Sequence, residues 1–204
     1  MKKNKLLLHK QILAAVLSGG ILLLPNWGYA LPQGGQVVAG TGSIGTPGGD
    51  QMNITGSGNV AIDWNSFNVA QGESVKFSGM QAVLNYVTGN TKSEIFGNIS
   101  GNGVHVFLVN PNGILFGATA SVNVGELTAS TRTIDNRKSF DGTAFSTLSP
   151  EAAQKVRGDI INLGELTADK ILLEGDNISL LNAHMLKSSG NGNITLRADN
   201  KVTV

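Results

Sequence analysis

The residues best suited to hold a metal or move a proton are three histidines, His9, His105 and His184. They stand far apart, and the 204-residue chain has no Cys, so no metal-ligand spacing is present. Cleaving a glycosidic bond would need two carboxyl groups facing that bond. The nearest groupings are Asp169 with Glu174 and Asp176, and Asp135 with Asp141. All fall in or beside turns, where solvated carboxylates are ordinary. No serine stands in an arrangement that supplies it with a base. Gly40-Thr41-Gly42-Ser43-Ile44-Gly45 fits a dinucleotide fingerprint in letters only. Pro47, Gly48 and Gly49 follow, where that motif needs a helix. Four Asn-Ile-Ser/Thr triplets, at Asn53, Asn98, Asn177 and Asn193, read as turn Asn, buried Ile and outward hydroxyl rather than as glycosylation sites. The expectation is a protein that is not an enzyme, with no catalytic residue, no metal and no cofactor.

The elements that carry these residues are short. Gly accounts for 27 residues, about twice the usual frequency of roughly 7%. Gly and Asn serve tight turns, because both tolerate positive φ. After Ala30 the chain reads as three- to six-residue β segments between Gly/Asn/Ser clusters. Among them are "NVAIDW" (Val60, Ile62 and Trp64 on one face), "SVKF", "AVLNYV" (Val83, Asn85, Val87), "VHVFLV", "KILLEG" and "KVTV". "VNVGELTAS" (Val122–Ser130) returns as "INLGELTAD" (Ile161–Asp169), and "ILL" at Ile171 echoes "ITL" at Ile194. Echoes at a spacing of about 20 residues point to stacked coils. The expected fold is all-β: a right-handed parallel β-helix with an N-terminal cap over 31–58. An antiparallel sandwich is the alternative. "LSPEAAQKVRGD" has Ser149 as N-cap, Pro150 at the first helical position and Gly158 as stop. It predicts a short helix within an insertion over 132–158.

Residues 1–30 lie outside that fold. Lys2, Lys3, Lys5 and Lys10 precede an apolar stretch, and Gly28-Tyr29-Ala30 ends it with small residues at the −3 and −1 positions. This is the pattern of a secretory signal peptide, cleaved between Ala30 and Leu31. The apolar run is shorter than the roughly 20 residues of a membrane span. Removing the segment takes four Lys and no acid, which leaves 11 basic against 14 acidic side chains, a net of −3. No basic run remains, so nucleic acid is not an expected partner. Exported domains often depend on disulfides; this one has none and rests on packing and backbone ladders.

In "HVFLVNPNGILFG" (His105–Gly117) two apolar runs flank Asn110-Pro111-Asn112-Gly113. Asn at the first position, Pro at the second and Gly at the fourth suit a type I turn. Pro111 therefore ends one strand and fixes the corner to the next, which starts at Ile114.

"VFLVNPNGILFG" closely resembles the asparagine-proline-asparagine-glycine-isoleucine motif of two-partner secretion domains, the N-terminal regions of filamentous haemagglutinin-like exoproteins. "AIDWNSFNV" (Ala61–Val69), "ESVKF", "AVLNYVTG" and "LTAST" (Leu127–Thr131) resemble that family's segments in order. An early asparagine-proline-asparagine-leucine motif is missing, so the likeness is greater to the high-molecular-weight adhesin branch. The resemblance implies a partner, an outer-membrane β-barrel transporter whose periplasmic recognition modules capture the chain. It also implies entry through the general export machinery, a secreted or cell-surface destination by way of the periplasm, and folding outside the cell. It marks Asn110, Pro111, Asn112, Gly113 and Ile114 as the transporter recognition and turn motif, with Trp64, Phe67, Asn68, Asn85 and Thr128 as supporting positions. A self-sufficient surface adhesin with a carbohydrate or protein ligand on a host surface is the other reading. "GNITLRADNKVTV" is still repeating at Val204, so the sequence is expected to be the front module of a longer exoprotein or a truncated copy. Uncapped, it is expected to associate end to end.

Overall fold

The computed structural model describes residues 30–143, 158–181, 186–188 and 192–204. Its strands are β1 (Gln36–Ile44), β2 (Gln51–Trp64), β3 (Ser74–Val87), β4 (Ser93–Ile95), β5 (Asn98–Val109) and β6 (Ile114–Phe116). They continue with β7 (Ser121–Ser130), β8 (Ile160–Asn162), β9 (Glu165–Ala168), β10 (Lys170–Leu180), β11 (Leu186–Ser188) and β12 (Ile194–Thr203). Strands β1 and β2 pair antiparallel; every later strand pair is parallel. Parallel neighbours cannot be joined by a hairpin. The chain instead turns corners and returns one layer further along.

Three ladders of rungs result. One runs Gln51, Ser74, Asn98, Ser121, Glu165. The second runs Ile62, Asn85, Leu108, Ala129, Leu173, Leu196. The third runs Val69, Ile95, Phe116, Asn162, Leu180. This is a parallel β-helix, a solenoid of about six turns. The sandwich is thereby set aside. Of the two echoes in the sequence, one is structural: Ile171 pairs with Ile194. The other is not, because Val122 pairs with Leu166 while Ile161 stacks on Leu115 of the third ladder. The two "ELTA" copies lie in strands of different ladders, Leu127 in the second and Leu166 in the first, and are not successive rungs of one.

Alternation along each strand sends one set of side chains into the solenoid. Trp64, Phe67, Phe77, Phe116, Ile95 and Leu108 are among the largest fully buried ones. Each such side chain contributes roughly 1.5–3 kcal/mol of burial. Within this apolar interior Asn85 ties three coils together. Its Oδ1 accepts Trp64 Nε1–H at 3.1 Å and its Nδ2 donates to Phe107 O at 3.2 Å. Trp64 also meets Phe67 edge-on, with centroids 5.6 Å apart.

Between Ser130 and Ile160 lie 29 residues, where Val109 and Ile114 are separated by four. The described start of this insertion crosses the outside of the second ladder. Ile134 and Phe140 pack there on Ala61, Ala82, Leu84, Tyr86, Phe107 and Val109. Arg137 pairs with Asp63 at 2.6 Å and lies 4.3 Å above the Tyr86 ring centroid. Burial beneath this strap raises the Tyr86 phenol. A 3-10 turn (Arg137–Ser139) is its regular element among the described residues. The helix expected from Ser149 lies outside the described residues, apart from its stop at Gly158.

At the first coil β1 lies antiparallel on β2, from Gln36 opposite Asp63 to Ile44 opposite Ile54. It covers the edge that a parallel stack would leave open. The first coil begins at Gln51, inside the span expected for the cap. At the other end β12 pairs with β10, and Val202 and Val204 are 41% and 77% exposed.

Candidate functional site

The corner at Asn110–Ile114 joins β5 to β6. Gly113 N–H donates to Asn110 O at 3.0 Å, the closing bond of a β-turn. No described non-Gly residue has positive φ, so Asn112 at the third position is negative, as a type I turn requires. Gly113 itself takes φ +112°, and a Cβ there would stand 3.0 Å from Asp159 O. From the next coil, a Cβ on Gly158 would collide with the Gly113 backbone. The turn is therefore stacked closely between layers.

Asn110 is fully buried, and its side chain points into the corner. Nδ2 donates to Thr91 O at 2.9 Å and to Ser93 Oγ at 3.0 Å. Oδ1 accepts Asn112 N–H at 2.9 Å and Asn112 Nδ2–H at 3.0 Å. All four hydrogen-bonding positions of this amide are used. Asn112 is exposed, and its Nδ2 also donates to Gly89 O at 2.9 Å. Pro111 is half-buried, and Ile114 is buried in the core with its N–H donating to Asp159 O at 3.0 Å. The motif thus divides into an inward half, Asn110 and Ile114, and an outward half, Pro111 and Asn112. Thr91, Ser93, Gly158 and Asp159 complete the corner. They carry no motif of their own and become visible only when the coils are stacked.

The supporting positions do not gather around this corner. Trp64, Phe67 and Asn85 form the interior tie described above. Asn68 Oδ1 accepts Glu94 N–H at 2.8 Å at another corner. Thr128 is 4% exposed on the outer side, with Oγ1 2.9 Å from His105 Nε2. Ala30 and Leu31 sit beside the first coils, where Ala30 N–H donates to Glu73 and Leu31 is fully buried.

Of the carboxylates considered for catalysis, Glu174 and Asp176 lie within β10 and not in or beside a turn as expected. Glu174 is 2% exposed and paired with Arg132 at 2.5 Å. Asp141 Oδ1 accepts Thr143 Oγ1–H at 2.6 Å and Thr143 N–H at 2.9 Å, which lowers that exposed carboxyl. His184 is outside the described residues. No group of three or more His, Cys, Asp or Glu able to hold a metal occurs among the described residues.

His105 lines a groove of about 360 Å³ between the outer side of the second ladder and Gly142-Thr143, together with Phe107, Glu126, Lys170 and Arg197. Its ring stacks on Phe107 at 3.9 Å, and Nδ1 lies 3.4 Å from Glu126 Oε2. Burial lowers its pKa from 6.5 to about 4; Glu126 opposes this, and Lys170, 2.9 Å from Glu126, adds to it. The unfolded chain protonates near pH 6.5 and the folded one near 4. Stability from this group is therefore complete above pH 6.5 and is lost as pH falls to about 4, by roughly 3 kcal/mol. His105→Gln should flatten the stability profile across that window in urea unfolding at stepped pH. An unchanged slope would contradict this placement of His105.

The fold is thus a parallel β-helix whose first edge is closed by an antiparallel strand and whose Asn-Pro-Asn-Gly-Ile corner is stacked between coils. The family model described as the TPS secretion domain matches residues 30–203, and the chain belongs to that family. It is 31% identical over 173 residues to a heme/hemopexin-binding protein of Haemophilus influenzae (strain ATCC 51907 / DSM 11121 / KW20 / Rd). That match covers 81% of this chain and 19% of the relative. A second heme/hemopexin-binding protein of Haemophilus influenzae is 37% identical over 108 residues, covering 51% and 12% of the two chains. The chain therefore spans about a fifth or less of these relatives. The crystal structure of the HMW1 secretion domain from Haemophilus influenzae superposes with a TM-score of 0.58 at 29% identity, covering 82% of this chain and 44% of that one. The likeness to the high-molecular-weight adhesin branch agrees with that neighbour.

Proposed function

We propose that this domain is the address by which a longer exoprotein reaches a dedicated outer-membrane β-barrel. Signal cleavage after Ala30 follows passage through the general export machinery. Periplasmic modules of the barrel then take the chain in an extended form, and the solenoid forms outside, coil upon coil. Family membership supports the secretion role, and the corner supports its location. Asn112 is exposed in the folded solenoid, so core packing does not dictate an Asn there and its identity is free to serve recognition of the extended chain. Parallel ladders join residues more than 20 positions apart, which makes folding slow. A chain that folds slowly and carries no disulfide remains able to thread a pore. Strand addition to the barrel's modules is a fitting mode of capture, because it needs only free backbone groups and alternate side chains.

The test is binding of the unfolded mature chain to the cognate barrel's isolated periplasmic modules. Asn112→Ala should weaken that binding at least several-fold. In the folded domain the same change should cost about 0.5–1.5 kcal/mol. Equal binding by variant and parent would reduce the motif to a corner of the fold.

A second reading, a surface adhesin in its own right, is favoured by the groove lined by His105, Phe107, Glu126, Lys170 and Arg197. It would place a polar ligand, such as a sugar, on the outside of the second ladder.

A further inference from the structure

The carboxylate of Glu73 takes no part in the Asn110 corner. It closes the turn ahead of β3 and is 5% exposed. Oε2 accepts Ala70 N–H and Oε1 accepts Ala30 N–H, each at 2.8 Å. Among the described residues no Lys, Arg or His pairs with it. The charged groups on the elements around it are Asp50 ahead of β2, Lys76 on β3 and Glu94 on β4. All three are exposed, and Glu94 is paired with Lys92 at 3.0 Å. A carboxylate withdrawn from water needs donors or a counter-charge, and this one has two amide donors.

The segment that reaches it is held firmly. The Leu31 side chain is fully buried. Gln33 Nε2 donates to Leu31 O at 2.8 Å, Gln33 N–H donates to Ser66 O at 2.9 Å, and Asn65 N–H donates to Gln33 O at 2.9 Å. The backbone at residue 30 is thereby brought to a buried carboxylate, one residue before the junction where the sequence places signal cleavage.

We propose that Glu73 is the receptor for the chain's own processed amino terminus, pairing with the α-ammonium group that cleavage creates on Leu31. In the uncleaved chain the nitrogen of Leu31 is a neutral amide, and Oε1 is occupied by Ala30 N–H. Cleavage removes Ala30 and leaves a cation one residue along, a Cα step of about 3.8 Å. The new group replaces an amide donor with a charge-assisted one, the stronger kind. Processing then stabilises the first coils, on which the later coils stack. A chain still joined to its signal segment lacks this contribution. The inference rests on cleavage after Ala30.

The experiment uses chains made to begin at Leu31, so its outcome does not depend on where cleavage occurs in the cell; amino-terminal sequencing of the secreted protein tests that separately. Thermal unfolding is compared for Leu31–Val204, for the same chain with an acetylated amino terminus, and for both carrying Glu73→Gln. Acetylation should lower Tm by about 2–4 °C at pH 6.5 in the parent, and by much less in Glu73→Gln. The ion pair raises the folded pKa of the α-amino group above its ordinary value of about 7.7–8.0. Its contribution is thus complete below that value and fades as pH rises through the folded pKa, so the acetylation effect should vanish by about pH 10. Should Glu73→Gln fail to fold, the pKa of the ¹³C-dimethylated amino terminus in the parent decides, with a value raised above that of the same group in urea expected. An equal acetylation loss in both backgrounds, a loss independent of pH, or an unraised amino pKa would overturn the proposal.

Discussion

Asn110→Ala is expected to destabilise the folded domain by about 2–4 kcal/mol, well above the cost of Asn112→Ala in the same turn. The substitution removes an amide whose four hydrogen-bonding positions are all used. It leaves Thr91 O, Ser93 Oγ and Asn112 N–H without that partner, and of these residues Ser93 is fully buried while Thr91 and Asn112 are exposed. Each polar group so stranded costs about 1–3 kcal/mol, and a change above 4 would be exceptional for one substitution. Asn112→Ala removes bonds that solvent can replace. Urea unfolding with an unchanged slope should separate the two variants by their midpoints. Equal midpoints would show that the inward and outward halves of the motif are not distinct. The pair also separates folding from export: Asn112→Ala should impair secretion with little loss of stability, whereas Asn110→Ala should impair both.

A similar loss, about 3–5 kcal/mol, is expected for Arg132→Ala. Arg132 stands at the start of the insertion and pairs with Glu174 of β10 at 2.5 Å. The hydrogen bond to Glu174 raises the guanidinium further above its already high value, against the opposing effect of burial. Glu174 also accepts Ser130 Oγ–H at 2.9 Å, while Arg197 is 4.0 Å away and largely exposed. Without Arg132 the buried carboxylate keeps one neutral donor and a distant cation. Breaking such a pair from one side is costly, whereas replacing both partners by apolar residues is close to neutral. Arg132→Ala with Glu174→Leu should therefore recover most of the loss. A double variant as unstable as Arg132→Ala alone would show that Arg132 acts by holding the insertion and not by balancing Glu174.

The period of the solenoid could be read from the chain because turn residues and inward-facing residues recur together. Ile171 and Ile194 are true rung partners at the spacing the sequence suggested. The "GELTA" echo misled, since the same short segment serves as a strand in two different ladders, and spacing alone does not say which ladder a segment joins. In "AVLNYV" the sequence showed Val83, Asn85 and Val87 as one face. It gave no reason for Leu84 and Tyr86, which would then face water. The structure supplies that reason: Ile134 and Phe140 of the insertion cover them. Contacts between a strand and a residue some 50 positions later leave no local periodicity to detect. The same holds for the corner. Asn-Pro-Asn-Gly is readable as a turn from residue preferences. The partners of Asn110, Thr91 and Ser93, lie one coil earlier and become neighbours only through stacking.

The proposed role of this domain is to carry a chain out through a dedicated outer-membrane barrel. The most direct measurement is the amount of mature chain outside the cell, from strains that carry or lack the cognate transporter. The parent chain should be found outside only with the transporter present, beginning at Leu31, and should accumulate in the periplasm without it. Equal amounts outside with and without the transporter, or retention in the periplasm when it is present, would contradict the account.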